Sequence, residues 1–237
     1  MFVNVKRGPM TISKILASTI LVSLPAVAHA DTLQQQVVAA AKAADADDLA
    51  FTQATRVERT GEATREIVQR YDPRGGATRW TLVKIDGRAP TAKEMKDAAK
   101  RSGRGRTPSY SRIADWFGAP ATRVATTPTS VTYRFAKLPK GALKMGPHDA
   151  STNTSAEAVV NTAGRVPFVE RVRLTSNAPF SMFMVVKVAR FTVNGSNRLI
   201  DGRPVSDTTT TEFAGSFMGK PQTMRTRTTY ADVRTAR

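Results

Sequence analysis

Cysteine is absent from the 237 residues. No disulfide framework can form, so stability has to come from burial. Histidine is nearly absent: there are two, of which His29 lies in a leader described below and His148 sits in Gly146-Pro147-His148-Asp149. With no thiol and one imidazole, a structural zinc site of the usual kind is excluded. A Ser-His-Asp triad would have to be built on that loop histidine. The strings G-x-S-x-G, S-x-x-K and H-E-x-x-H are missing. Gly215-Ser216-Phe217-Met218-Gly219 has the wrong spacing for a nucleophile elbow, and Gly103-Arg104-Gly105-Arg106 lacks the Lys-Ser/Thr of a phosphate loop. These absences lead to the expectation of a non-catalytic protein without metal or cofactor. Acidic residues are scarce, 19 against 36 basic ones, which gives a net charge of +17.

A single long apolar run is present, residues 15–27, and it carries no charge. Lys6, Arg7 and Lys14 precede it and Ala28-His29-Ala30 follows, which is the n-region, h-region and cleavage-site pattern of an exported protein. The run is too short to span a bilayer comfortably, and no cysteine follows it to take a lipid anchor. The expectation is cleavage after Ala30 and a soluble periplasmic protein of residues 31–237. Removing the leader takes away three positive charges and leaves a mature chain near +14. A field of that sign favours anionic partners such as lipid headgroups, lipopolysaccharide or other envelope polyanions. Nucleic acid matches the charge equally, but export argues for no nucleic acid. A chain of about 200 residues buries roughly 70% of its unfolded surface, enough for one domain, and a monomer is expected.

Periodicity along the mature chain is mostly that of strands. Leu33, Val37, Val38 and Ala41 give residues 31–44 a short amphipathic helix, capped by Asp31 or Thr32. Residues 49–59, 64–71 and 79–85 alternate as strands, separated by turns at Thr60-Gly61-Glu62 and Asp72–Gly76 and closed at Asp86-Gly87. Pro90-Thr91 opens a helix over 92–100 that runs into a basic stretch ending at Pro108. Residues 110–117 read as another helical piece. Strands resume at 121–126, 131–138 and 156–161, with a loop at 139–147 between them. Gly195-Ser196-Asn197 reads as a turn, Leu199-Ile200 as a short strand, and 208–218 with 221–233 as the last hairpin. About ten strands at hairpin spacing with no βαβ alternation predict a mainly β, α+β chain. The expected form is a curled antiparallel sheet, or incomplete β-barrel, with helices on its concave face. Residues 90–118 are an insertion within that single domain.

Residues 166–193 are the most informative stretch. Phe168, Val172 and Leu174 share one face of a strand while Val169, Arg171 and Arg173 share the other. After a break at Ser176-Asn177-Ala178-Pro179, residues 180–191 are apolar on both faces for most of their length. A strand of that kind is covered on both sides, by core on one and by a helix, lid, ligand or partner on the other.

An exported chain with an N-terminal helix, Phe51-Thr52-Gln53 opening a strand, and long antiparallel strands resembles the outer-membrane lipoprotein carriers and their superfamily of periplasmic half-barrel lipid binders. Arg79-Trp80-Thr81-Leu82-Val83-Lys84-Ile85-Asp86-Gly87, the Pro90-Thr91 helix start and Thr228-Thr229-Tyr230-Ala231-Asp232 look like an uncharacterised proteobacterial branch of that group. The resemblance implies an acyl chain of a lipid or acylated protein held in an apolar hollow. Its candidate lining is Phe51, Trp80, Leu82, Phe135, Phe168, Val172, Met182, Met184, Val186, Phe213 and Phe217, with Ile113, Trp116 and Phe117 as lid. All of these are equally compatible with plain core. Lys96, Lys100, Arg101, Arg104 and Arg106 would meet an anionic membrane surface or an envelope protein; a solvated spacer is the other reading of that run. The alternative function is an envelope-stress or regulatory interaction module that binds a partner protein on the same fold.

Overall fold

The computed structural model describes residues 31–44, 48–102, 110–146, 148–182 and 185–236, without the side chains of 77, 78, 101 and 102. The expected leader and its cleavage site lie outside these residues. The chain is mainly β, built on one large antiparallel sheet that is not closed into a barrel. Its strands are β1 (Leu49–Arg59), β2 (Arg65–Tyr71), β3 (Trp80–Ile85), β4 (Thr122–Thr126) and β5 (Ser130–Phe135), then β8 (Thr154–Asn161), β9 (Phe168–Ser176), β10 (Phe180–Met182), β11 (Val186–Ile200), β12 (Arg203–Phe217) and β13 (Lys220–Thr235). A separate two-stranded ribbon pairs β6 (Lys144–Met145) with β7 (His148–Asp149). The order across the main sheet is β3-β2-β1-β13-β12-β11-β9-β8-β5-β4, with β10 folded onto β11. The C-terminal strand thus enters beside β1 and joins the two halves of the meander.

Short turns fix much of this order. Asp86-Gly87, Asp201-Gly202 and Met218-Gly219 all have φ between 50° and 79°, the backbone that a tight hairpin of the right twist needs at both central residues. Met218 accepts that conformation with its side chain 69% exposed, so nothing packs against it there.

Helix α1 (Thr32–Ala43) is held by a reciprocal cap. Asp31 Oδ1 accepts from the Gln34 amide at 2.9 Å while the Asp31 amide donates to Gln34 Oε1 at 3.2 Å. The buried Gln34 side-chain amide then donates to the Phe117 and Ala119 carbonyls at 2.8 and 3.1 Å. This ties α1 to the 3₁₀ segment Tyr110–Asp115 and the residues after it. Together they cover β5, β8 and β9, where Val37, Phe117, Tyr133, Phe135, Val160 and Val169 are fully buried. Helix α2 (Ala92–Ser102) lies against β3 at the far edge. Thr91 Oγ1 accepts its Glu94 amide at 3.3 Å, and Glu94 is clamped by Arg88 at 2.7 Å.

Two sequence expectations are corrected. Gly195-Ser196-Asn197 is no turn: β11 runs through it to Ile200, absorbing the short strand expected at Leu199-Ile200. A Cβ on Gly195 would sit 2.9 Å from Val172 Cγ1 on β9, so glycine is there for a close strand approach rather than for a bend. The doubly apolar arm 180–191 is also not one strand. Phe180 and Met182 fold back opposite Val188 and Val186, and the arm buries itself in a satellite cluster with Ala150, Phe191, Leu143 and Met145.

Candidate functional site: the two faces of the long strands

The residues expected to line one hollow fall in separate places. Phe135, Phe168 and Val172 pack with Ile113, Trp116 and Phe117 in the cluster beneath α1. Trp116 and Phe117 rings lie 5.1 and 5.5 Å from Phe135, and Phe117 and Phe135 are both fully buried. Phe51 and Trp80 belong to a second cluster with Tyr71 and Tyr230, where the Phe51 and Tyr71 rings stack at 5.1 Å. Met182 and Phe213 join the third, around Val188 and Phe191. Leu82 is buried on β3, Val186 is half-buried at the start of β11, and Phe217 is half exposed. Met184 lies outside the described residues. Lys96 and Lys100 are exposed on α2; the Arg101 side chain, Arg104 and Arg106 are not among the residues described.

What the register does bring together is a broad face of the long strands. Side chains alternate across a strand, and direct cross-strand partners share a face. One row runs Ile67–Thr55–Thr228–Thr209–Gly195–Val172–Ala158–Tyr133 from β2 to β5. The next runs Val57–Thr226–Thr211–Val193–Leu174–Ala156–Phe135. A third, Arg59–Met224–Phe213–Phe191, lies beyond it. At β5, β8 and β9 these rows are the floor of the core under α1. That core cluster contains no residue of β11, β12, β13 or β1. On those four strands the same rows continue mainly as threonine, valine, methionine and phenylalanine, most of them half-buried, and their one charge stands at the rim, where Arg59 of β1 lies opposite Met224. Tyr230, at the end of this strip, has its phenol pushed up to about 12 by burial alone, and no described residue hydrogen-bonds to it.

The opposite face of the same strands is charged. One row reads Glu66–Arg56–Arg227–Thr210–Asn194–Arg173–Glu157–Arg134; the adjoining one reads Glu58–Arg225–Glu212–Thr192. Arg56 pairs with Glu58 at 2.9 Å, Arg134 with Glu157 at 3.1 Å and Arg225 with Glu212 at 3.6 Å. Arg171, Arg173, Arg190 and Arg227 have no carboxylate within ion-pair distance among the described residues. The sequence signal for both faces was present in Thr208-Thr209-Thr210-Thr211 and in the spaced pairs Arg171/Arg173 and Arg225/Arg227. Only the register could add them up across strands.

Elsewhere the polar groups do structural work. Asp31 accepts from the Tyr133 hydroxyl at 2.9 Å and from Arg123 at 2.8 Å. Partial burial raises the Asp31 pKa, but the hydrogen bonds from Arg123, the Gln34 amide and Tyr133 outweigh it and hold the carboxyl below its usual value. Burial, helped by Asp31, pushes the Tyr133 phenol up to about 12. Ser151 is fully buried and hydrogen-bonded to Asp149 and the Leu143 amide, so it braces the 143–151 loop. The His148 ring stacks on Phe180 at 4.4 Å. Among the described residues no group of three or more His, Asp or Glu could hold a metal ion. Comparison with family models, with curated proteins and with solved structures finds no match.

Proposed function

We propose that the protein is a non-catalytic binding protein that holds an acyl chain, of a lipid or an acylated protein, along the uncharged face of β11, β12, β13 and β1, beside the helical cover. The observation that carries this reading is the strip itself. In a chain with 36 basic residues, four adjacent long strands keep every inward-alternating position from Gln53 to Val57, Thr209 to Phe213, Met224 to Tyr230 and Phe191 to Gly195 free of charge. A surface meant only for water has no reason to exclude arginine there. Threonine and valine methyls, with Met224 and Phe213 at one end, give an apolar floor that tolerates chains of different shape. The Tyr230 hydroxyl is a free donor for an ester or carboxylate at the other end. Each methylene removed from water contributes about 0.8 kcal/mol, so one fatty chain is a substantial ligand. The basic charge of the rest of the molecule complements the anionic headgroups such chains carry. Native mass spectrometry after mild purification, and again after incubation with vesicles, tests the proposal. Adduct masses of lipid are expected, and a bare chain under both conditions would overturn it.

A second reading is favoured by a different feature. Strand β4 forms one edge of the sheet with all five residues exposed, and an open edge is a template for strand addition by a partner protein. Crosslinking in cells followed by isolation of a stoichiometric partner, with no lipid on the protein, would favour this interaction module over the carrier.

A further inference from the structure

We infer that the arginine-bearing face of β9, β11, β12 and β13 is a binding surface for an anionic polysaccharide. It is the back of the face assigned to the acyl chain, and the inference stands independently of that assignment. Two shallow grooves lie side by side on it, of about 570 and 550 Å³, and Arg173 lines both. Arg190 and Arg225 line the first with Thr192, Thr223 and two glutamates, Glu58 and Glu212; Arg171 lines the second with Asn194, Ser196, Thr208, Thr210 and Glu157. Arginine offers forked donors that match carboxylate, sulfate or phosphate, and the hydroxyls and amide suit the sugar ring between such groups.

The charges are not arranged for the protein's own benefit. Arg227 lies directly across from Arg56, and like charges in that position are destabilising. Glu58 answers Arg56 at 2.9 Å, which leaves Arg227 without a counterion. Arg171 and Arg173 stand two residues apart on the same face, roughly 7 Å, with Val159 and Glu157 opposite them. Glu157 is taken by Arg134. A ligand with repeated negative charge relieves both places.

Other polyanions fit less well. Among the described residues, the only aromatic ones along the grooves are Phe191, which is buried, and Phe213, which is half-buried and alternates onto the other face, so successive unpaired bases have no row of exposed rings to stack on. Glu58 and Glu212 line the first groove and Glu157 the second, each held by its own arginine, Arg56, Arg225 and Arg134. Negative charge spread evenly over the face, as in a bilayer, meets all three, whereas separated anionic groups can seat at Arg171, Arg173 and Arg190.

The test is isothermal titration with dextran sulfate, with neutral dextran, phosphatidylglycerol vesicles and single-stranded oligonucleotide as comparisons. The variant R171S/R173S/R190S is compared with K93S/K96S/K100S, which removes the same charge from α2. Salt-sensitive binding of dextran sulfate is expected, weakened about tenfold or more in the arginine variant and by less than about twofold in the lysine variant. Circular dichroism verifies that both variants keep their fold. Should the arginine variant unfold, R173S alone is used, with a smaller loss expected. Equal weakening in both variants would reduce the effect to net charge and overturn the inference. Preference for the vesicles or the oligonucleotide over dextran sulfate would overturn it too.

Discussion

The two faces of β11, β12, β13 and β1 are made from alternating residues of the same strands, yet one keeps charge to its rim at Arg59 and the other collects arginine. Thr210 and Thr211 are neighbours in sequence; Thr210 faces Asn194 and Arg227, Thr211 faces Val193 and Thr226. The separation rests entirely on register, because a slip of one residue would move every arginine onto the uncharged strip. The comparison teaches where specificity is held in a sheet this broad. It lies in the positions that lock neighbouring strands, and less in the threonines that make up the surface.

The largest effect is therefore expected at a lock. Gly215 stands where β11 bulges, and a Cβ there would come 2.0 Å from the Lys187 carbonyl. Backbone cannot yield by that amount, so Gly215→Val should abolish the two-faced sheet; loss of cooperative thermal unfolding in circular dichroism is the readout. Cooperative unfolding near the wild-type temperature would show that register is held elsewhere.

Next comes the covered end. Phe135 is fully buried beneath Trp116 and Phe117, and Phe135→Ala should cost about 3–5 kcal/mol in urea unfolding. Thr226→Ala, on the same face but beyond the helices, should cost less than about 1 kcal/mol. A comparable loss at both positions would mean that the strip is ordinary core and would end its assignment as a ligand floor.

A smaller effect is expected from pH. The Asp31 carboxyl is held below its usual value in the folded state, so its contribution is fully present above the unfolded value and is lost as pH falls through the lowered one. Asp31→Asn should remove that acid dependence while lowering stability between pH 6 and pH 8 by no more than about 1 kcal/mol, through loss of the exposed ion pair with Arg123, since Asn caps a helix as well as Asp does. Chemical denaturation at two pH values reads both. An unchanged acid limb would show that other carboxylates govern it.

Much of this molecule was legible before any coordinates. A cap at Asp31 or Thr32 for α1, the strand at 49–59, a strand beginning near 131 (expected to 138, ending at Phe135) and the turn at Asp86-Gly87 all follow from local chemistry. An open antiparallel sheet with helical cover follows from their number and spacing. Legibility ended where distant strands decide. Gly195 looks like a turn residue until Val172 is brought against it. Residues 180–191 look like one strand demanding cover on both faces until Phe180 and Met182 are folded back over Val188 and Val186. The candidate cavity residues were chosen for being apolar, and apolar residues mark every cluster, so seven of them divided among three clusters while Leu82, Val186 and Phe217 joined none. The uncharged strip was invisible to that choice because threonine rows acquire meaning only when β12, β13 and β1 are laid side by side.

The most direct measurement uses the adjacent threonines. Native mass spectra of wild type, Thr210→Glu and Thr211→Glu, each incubated with the same phospholipid vesicles and each verified as folded, place a charge on one face or the other with nothing else changed. Lipid adducts are expected on wild type and on Thr210→Glu, and none on Thr211→Glu. Adducts retained by Thr211→Glu at wild-type level, or lost equally from both variants, would contradict an acyl chain seated on the uncharged face.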